Sequence, residues 1–270
     1  MSLNKRLDLA REAYARKDKE MAAQAHRKRM IEHSAKEQHG GQGSQYIGSM
    51  VYGGLDGVVT TFAAVSGVAG ANLGAHIVLI MGLANLLADG LSMAVGAYLS
   101  DKSEHEYYER EYQRESWEVE HFPQGEKDEM IEIYKEQGYS DEDAKQLIEI
   151  ISTNKESWVE QMMLLELGLL KDDKKPIISG LVTFIAFLIA GAIPLAGYLI
   201  TNAAGASGQT SFLISAIVSG LTLFALGAAK VKVTGLKPLR SGIEMLLVGG
   251  IAAVVAFAVG LFLKGIGVGG

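Results

Sequence analysis

The sequence predicts an all-α membrane protein with five transmembrane helices and an acidic helical domain inserted between helices 2 and 3. The 270-residue chain is 49% hydrophobic, and its apolar residues gather in long blocks that are almost free of charge. Each block has about the 20 residues that an α-helix needs to cross a hydrocarbon core of ~30 Å. The predicted spans lie near residues 47–71, 77–100, 177–200, 212–229 and 242–263.

Composition narrows the function classes. A soluble protein with apolar core helices fits the 32 glycines poorly, because glycine weakens soluble helices but lets helices approach closely in lipid. The absence of cysteine excludes disulfides, thiolate metal sites and cysteine nucleophiles. The sequence has no Gly-x-x-x-x-Gly-Lys-Ser/Thr loop, which argues against ATP-driven pumping by this chain. No nucleic-acid partner is expected.

The charge pattern divides the chain into four segments. Residues 1–45 carry ten Lys/Arg against six Asp/Glu and predict a basic amphipathic helix on the cytoplasmic membrane surface or against a partner subunit. Residues 46–100 hold spans 1 and 2, and residues 172–270 hold spans 3 to 5. Residues 101–171 form the acidic domain, with 20 Asp/Glu against eight Lys/Arg.

The basic residues also predict the orientation of the spans. The links at 71–76 and 201–211 contain no Lys or Arg. The basic links contain Lys171, Lys174 and Lys175 before span 3, and Lys230, Lys232, Lys237 and Arg240 before span 5. By the positive-inside rule, the N-terminus and the acidic domain face the cytoplasm and the C-terminus faces outside.

Four helices are expected in the acidic domain. Span 2 continues without a break into the first, about 101–121, which ends at Pro123 and Gly125. A second runs from about 126 to 137. Ser140 and Asp143 resemble a capping box that opens the third, and the fourth covers about 155–170.

Carboxylates and methionines follow a helical spacing in this domain. On the first helix, Glu104, Glu111, Glu115 and Glu118 share one face. The second helix contributes Glu126 and Glu129, and the fourth contributes Met162, Met163 and Glu166. Carboxylates stacked in this way repel one another unless a cation compensates, and divalent cations take oxygen ligands. Thioethers beside them would favour transition metals over Mg²⁺ or Ca²⁺. A solvated acidic face without a ligand is the other interpretation.

Polar residues inside the spans are functional candidates, because ionisable groups at membrane depth are costly. Span 1 contains Asp56, while Asn85, Asp89 and Met93 form one stripe on span 2. Glycines at 53 and 57 flank Asp56 and predict close approach of two copies of span 1. Two alternatives stay open: Asp89 as a structural hydrogen-bonding partner, and Glu244, at the mouth of span 5, as a headgroup-level charge.

Three stretches together carry a resemblance to a known family. They are Tyr52-Gly-Gly-Leu-Asp-Gly-Val-Val-Thr-Thr-Phe62, Gly82-Leu-Ala-Asn-Leu-Leu-Ala-Asp-Gly-Leu-Ser-Met93 and Met162-Met-Leu-Leu-Glu166. With them, residues 46–264 resemble the vacuolar iron transporter family, which moves Fe²⁺, and in some members Mn²⁺, out of the cytosol in exchange for protons. The resemblance implies a homodimer of five-span subunits with a cytoplasmic metal-binding domain between spans 2 and 3.

The resemblance also implies roles for individual residues. A membrane metal site corresponds to Asp56 and Met93, and a cytoplasmic cluster corresponds to Glu115, Glu118, Glu126, Glu129, Met162, Met163 and Glu166. Plant members carry a Glu where this sequence has Asn85, so Asp89 is expected to replace it in proton coupling. The sequence of span 2 looks more like that of prokaryotic relatives. It therefore predicts that the protein resides in a prokaryotic cell membrane, or in a vacuolar-type membrane if the chain is eukaryotic.

We therefore expect a proton-coupled transporter of divalent transition metal and not an enzyme. Fe²⁺ is the expected ion, with Mn²⁺, Zn²⁺ or Co²⁺ as other candidates, and no further cofactor. A membrane-anchored di-iron enzyme is the alternative, but it needs paired Glu-x-x-His motifs and the sequence offers one, Glu118 to His121. A Mg²⁺ or Ca²⁺ carrier leaves the methionines unexplained, and a tethered metal buffer leaves Asp56 and Asp89 unexplained.

Overall fold

The computed structural model describes residues 5–27, 44–234 and 237–267, and every regular element in those ranges is helical. We number the α-helices in chain order. They are α1 Lys5–Arg16, α2 Lys19–Ala25, α3 Ile47–Gly70, α4 Ala75–His121, α5 Pro123–Glu136, α6 Asp141–Ile151, α7 Lys155–Leu165, α8 Pro176–Ala203, α9 Gly208–Thr234 and α10 Pro238–Gly265. A 3₁₀ turn, Ser44–Tyr46, precedes α3.

Five of these helices are long and apolar enough to span a membrane, which confirms the predicted number of spans. They are α3, the first part of α4, α8, α9 as far as Lys230, and α10, with mean hydropathies between 1.3 and 2.7. Two of them, α8 and α10, begin at a proline, where the missing N–H has no intrahelical partner to lose. The chain is thus built as a multi-pass integral membrane protein.

The N-terminal segment differs from the prediction of one helix. Its described part forms two helices, α1 and α2, separated at Lys17, whose φ is 54°. The reason lies in Asp18, whose carboxylate accepts hydrogen bonds from the backbone N–H groups of Glu20 and Met21 at 2.9 and 3.0 Å. An Asp in this position caps a new helix instead of continuing the old one. Residues 28–43 lie outside the described ranges.

Helix α4 is continuous over 47 residues, which confirms that span 2 runs on into the acidic segment. At 1.5 Å per residue it is about 70 Å long, more than twice the hydrocarbon thickness of ~30 Å. Asp89 is the one Asp, Glu, Lys or Arg of α4 before Asp101, and from Asp101 to the end of the helix charged residues are frequent. The first half of α4 therefore has the composition of a transmembrane span, and the second half has the composition of a helix exposed to water.

The chain divides into two compact units, and the boundary falls inside α4. One unit comprises residues 1–95 and 178–270, which we call the membrane unit; the other comprises residues 96–177, which we call the insert. The membrane unit depends on glycines for close helix packing. A Cβ placed on Gly53 would lie 2.5 Å from the carbonyl oxygen of Thr183 on α8, a separation that Cβ atoms do not adopt.

The glycines flanking Asp56 therefore correct one prediction. Gly53 approaches Thr183, and Gly57 approaches the backbone of Phe187, both on α8 of the same chain. The predicted approach of two copies of span 1 through these glycines is wrong for this face of α3, because α8 already covers it. Small residues serve here to pack helices within one subunit.

The insert has its own hydrophobic core, built by the end of α4 together with α5, α6 and α7. Its buried members are Val119, Met130, Tyr134, Ala144, Ile148, Trp158, Val159, Met162 and Met163. Ser140 caps α6 as predicted: its hydroxyl oxygen accepts the N–H of Asp143 at 3.1 Å. This core fixes the faces on which the charged side chains of α4 and α5 lie.

Two helix ends in the insert differ from the predictions. Helix α5 begins at Pro123 and includes Gly125, because a proline is well suited to the first position of a helix even though it ends the preceding one. Helix α7 ends at Leu165 and not near residue 170, and Gly168 follows with a φ of 66°. Glycine takes this left-handed conformation without strain, so the chain turns away there.

Candidate metal centre

Three carboxylates from two helices meet in the insert. Glu115 and Glu118 lie three residues apart on α4, and Glu126 lies in the first turn of α5. One carboxylate oxygen from each lies within 4.8 Å of the other two. The turn at Phe122 and Pro123 produces this arrangement, because it folds the start of α5 back beside the last turns of α4. A divalent cation placed among the three would have three oxygen ligands.

Two of the three carboxylates are buried, which is unusual for glutamate. Glu115 is 0% exposed and Glu126 is 7% exposed, and an oxygen of each, Oε2, has no hydrogen-bond partner in the described structure. The pKa of both groups is raised to about 7, mainly by burial and in addition by a neighbouring carboxylate, Glu166 for Glu115 and Glu129 for Glu126. Buried carboxylate oxygens that lie this close together and have no hydrogen-bond partner are suited to binding a cation.

Glu129 and Glu166 form the outer part of the same cluster. Both are exposed at the surface. Partial desolvation raises the pKa of Glu166, and repulsion from Glu129 adds to that rise. Each of the five carboxylates predicted for the cluster thus interacts electrostatically with at least two of the others, three as a compact group and two at its edge.

The two methionines lie in the core of the insert. Met162 and Met163 are both 0% exposed and belong to the same hydrophobic cluster as Val119 and Met130. Val119 follows Glu118 in the chain and Met130 follows Glu129, so the methionines share a core with both carboxylate-bearing helices. Their role as thioether ligands stays a prediction, since packing alone also accounts for buried methionine.

Arg114 belongs to the cluster, and the sequence analysis missed it. Its Nε donates to Glu111 at 3.0 Å, its Nη1 donates to Glu118 at 2.5 Å, and its Nη2 pairs with Glu115. The sequence does contain a signal: Glu111, Arg114 and Glu118 are spaced by three and four residues, which places them side by side on a helix.

Glu104 does not belong to this cluster, although it was predicted to share a helix face with Glu111, Glu115 and Glu118. It lies eleven residues before Glu115, which is about 16 Å along a helix. It lines a different cavity of about 280 Å³ with Asp101, His105 and Asp172. In that cavity Asp172 forms an ion pair with Lys174, with Oδ2 and Nζ 3.0 Å apart.

In the membrane unit, the structure brings Asp56 and Asp89 together. Asp56 lies on α3 and Asp89 on α4; both are half-buried, and their carboxyl groups interact electrostatically. Asn85 is one turn before Asp89, and its Nδ2 is buried without a hydrogen-bond partner in the described structure. Met93 is half-buried one turn after Asp89. Two acidic groups in an apolar unit mark this as its polar centre.

Glu244 is not joined to that centre. It is exposed near the start of α10. Within residues 44–234 and 237–267, none of the contacts found connects it with Asp56 or Asp89. Both interpretations of Glu244, as part of the transport pathway and as a charge at headgroup level, stay predictions.

His121 is engaged in local contacts. Its ring stacks on Trp117 with centroids 4.4 Å apart, and its Nδ1 lies 2.8 Å from the Trp117 carbonyl oxygen. It is exposed, as predicted for a surface residue beside Pro123. The compact carboxylate group found among the described residues contains no histidine.

Comparison with known proteins agrees with this architecture. Residues 47–261 match the VIT family. A vacuolar iron transporter of Toxoplasma gondii is 44% identical over 96% of this chain and 88% of its own length. One of Plasmodium berghei is 35% identical over 94% of this chain and 95% of its own length.

A plant protein named vacuolar iron transporter 1, from Arabidopsis thaliana, is 35% identical over 79% of this chain and 84% of its own length. These relatives are eukaryotic and give no support to the expected prokaryotic origin. The match covers helices α3 to α9, which include the insert, and all of α10 except its last four residues. The chain belongs to the VIT family.

Proposed function

We propose that this protein transports Fe²⁺ across a membrane, out of the cytosol and in exchange for protons, and that the insert captures the ion. One observation carries the proposal: Glu115, Glu118 and Glu126 place three oxygens within 4.8 Å of one another, in a chain whose relatives are named vacuolar iron transporters. The family and its relatives also favour transport over enzymatic activity.

The proposed ligands of the insert are Glu115, Glu118, Glu126, Glu129 and Glu166, with Met162 and Met163 as thioether donors. Carboxylates alone would accept Mg²⁺ or Ca²⁺ as readily as a transition metal, whereas a thioether favours the softer ion. Affinity at such a site rises from Mn²⁺ through Fe²⁺ to Co²⁺. Mn²⁺, Co²⁺ and Zn²⁺ are therefore proposed as competing ions, with Fe²⁺ as the natural cargo.

The proposed step in the membrane uses Asp56 with Asp89, Met93 and Asn85. A carboxylate in an apolar environment is stable when it holds either a proton or a cation, so one ion can replace the other at the same oxygen. The electrostatic interaction of Asp56 with Asp89 supports a role for the pair. Asn85 cannot exchange a proton, and for this reason we assign coupling to Asp89. Glu244, near the start of α10, is the remaining residue that we propose for the pathway.

The charge pattern supports the orientation that we propose, with the N-terminus and the insert in the cytosol and the C-terminus outside. A homodimer is proposed on the resemblance to the family. The di-iron alternative is weakened by His121, which contacts Trp117 and is absent from the carboxylate group.

The test is ion uptake by liposomes that contain the purified full chain. Fe²⁺ added outside should enter faster than in protein-free liposomes, and Mn²⁺ should compete more strongly than Mg²⁺. Oxygen should not be consumed when Fe²⁺ is added. Uptake no faster than in empty liposomes would refute transport, and oxygen consumption that depends on the protein would favour the enzyme.

A further inference from the structure

Arg114, on α4, lies against the carboxylate cluster. Its guanidinium contacts three carboxylates at once, on Glu111, Glu115 and Glu118. Two of these, Glu115 and Glu118, belong to the compact group that would hold a divalent cation. The same two carboxylates therefore serve two cations, one that belongs to the protein and one from solution. On Glu115, Arg114 pairs with Oε1, and Oε2 has no hydrogen-bond partner in the described structure.

We propose that Arg114 is a tethered counter-ion that competes with the metal for Glu115 and Glu118, and that it sets how tightly the insert holds its cargo. This inference rests on the proposed function of the cluster. When a divalent cation binds, Arg114 gives up these two carboxylates and keeps its hydrogen bond to Glu111. When the metal leaves, Arg114 returns to them.

The geometry around Arg114 supports such an exchange. Its side chain is 41% exposed, so it has room to move toward solvent. Glu111 holds Nε at 3.0 Å and lies one turn before Glu115, away from Glu126. A planar guanidinium with five donors is suited to bridging several carboxylates. A lysine in its place would reach fewer of them.

The charge of the cluster explains why a counter-ion is needed. Two buried carboxylates beside several others repel one another and oppose folding unless a cation is near. Arg114 supplies that cation within the chain and lowers the pKa of Glu115 against the stronger effect of burial. The cost is a weaker affinity for metal, which is useful in a site that must pass its ion on.

The test compares Arg114→Gln with Arg110→Gln in the purified full chain. Arg110 also pairs with Glu111, at 2.7 Å, and its side chain is 71% exposed, so it is a matched control that removes the same charge from the same helix. Metal affinity is read with Co²⁺ and Mn²⁺ through tryptophan fluorescence, because both tryptophans, Trp117 and Trp158, lie in the insert. The titration is done near pH 8, where carboxyl groups with a pKa of about 7 are mostly ionised.

We expect Arg114→Gln to bind Co²⁺ about tenfold more tightly, since the metal no longer has to break charge-assisted hydrogen bonds. Arg110→Gln should change the affinity less than about twofold, because surface ion pairs contribute little. If Arg114 merely supported the structure, its loss would weaken binding. Unchanged or weaker binding by Arg114→Gln would overturn the inference.

Two further variants keep the inference and the proposed function separable. Arg114→Lys keeps the positive charge but loses the planar guanidinium with its several donors. Its Co²⁺ affinity should lie between those of the wild type and Arg114→Gln, which gives a second result if the glutamine variant folds poorly. Glu115→Gln should weaken binding. If Glu115→Gln has no effect, the cluster is not the metal site and the proposed function fails; if it weakens binding but neither Arg114 variant strengthens it, only the inference fails.

Chemical replacement of the side chain gives an independent readout. In Arg114→Ala, added methylguanidinium should compete with Co²⁺ and return its affinity toward the wild-type value. Urea, which has a similar shape and no charge, should not. Equal effects of the two additives in this variant would contradict competition by a cation.

Discussion

The membrane unit and the insert both contain acidic groups away from water, but they surround them differently. In the membrane unit, Asp56 and Asp89 come from two helices, are half-buried and interact electrostatically. In the insert, Glu115 and Glu126 are buried beside three more carboxylates and an arginine. The first arrangement suits an exchange between a proton and a cation, whereas the second suits capture from a dilute solution.

The largest expected effect concerns Asp56 and Asp89 in the membrane unit. Asp56→Asn should reduce Fe²⁺ uptake into liposomes to the level of empty liposomes, because the amide can neither hold a proton nor neutralise a cation. Metal binding by the insert, read by tryptophan fluorescence, should be unchanged. Glu244→Gln is the comparison: a change below about twofold places Glu244 at headgroup level, and a larger loss places it on the route.

The next effect concerns the close packing of helices in the membrane unit. Gly53→Ala should lower the unfolding temperature of the membrane unit and the yield of folded protein, because its Cβ would lie 2.5 Å from the Thr183 carbonyl oxygen. Overpacking of this kind costs about 1–3 kcal/mol. Gly54→Ala is the matched control, since its nearest neighbour would be Ala190 Cβ at 3.7 Å, an ordinary contact. Equal stability of the two variants would contradict the packing of α3 on α8.

A third prediction separates capture from transport. Glu115→Gln should weaken Co²⁺ binding to the insert by at least the roughly 10- to 100-fold that is typical when a residue hydrogen-bonded to a metal ligand is lost, because Glu115 is proposed as a ligand itself. Fe²⁺ uptake should fall at low Fe²⁺ and recover as its concentration is raised. Glu156→Gln, which is exposed on α7, should leave both unchanged. Loss of uptake at every Fe²⁺ concentration would mean that the insert does more than capture.

The smallest expected effect is a dependence of the insert on pH. Glu115 and Glu126 have a folded pKa of about 7, against an ordinary value of 4.5. Between these values the folded insert binds more protons than the unfolded chain, so its stability falls as pH rises toward and through 7. With a chelator present, tryptophan-monitored unfolding should therefore occur at a lower temperature at pH 8 than at pH 5.5. Co²⁺ should reverse the difference, because it replaces the protons.

The sequence predicts a feature well when the residues that determine the feature lie close together in the chain. The spans follow from block length, and the continuity of α4 follows from the absence of Gly or Pro after Gly96. The shared face of Glu111, Glu115 and Glu118 follows from helical spacing. These features depend on residues close in the chain, and the structure agrees with them.

The features that could not be predicted depend on contacts between distant residues. The packing of Gly53 on Thr183 joins α3 to α8 across 130 residues of chain, so sequence spacing gave no indication of it. The burial of Met162 and Met163 depends on how α7 packs against α4 and α5. Arg114 was within reach of the spacing rule, but an arginine among glutamates is usually a surface ion pair, and only burial of Glu115 sets it apart.

The central claim is that one chain exchanges Fe²⁺ for protons, and simultaneous measurement of both fluxes tests it most directly. Liposomes with the full chain, a dye for internal pH and a dye for internal Fe²⁺ would be given Fe²⁺ outside and an acidic interior. The account predicts that Fe²⁺ enters as the interior becomes less acidic, and that both signals disappear in Asp56→Asn. Fe²⁺ entry with no protein-dependent proton movement, or entry that survives Asp56→Asn, would contradict it.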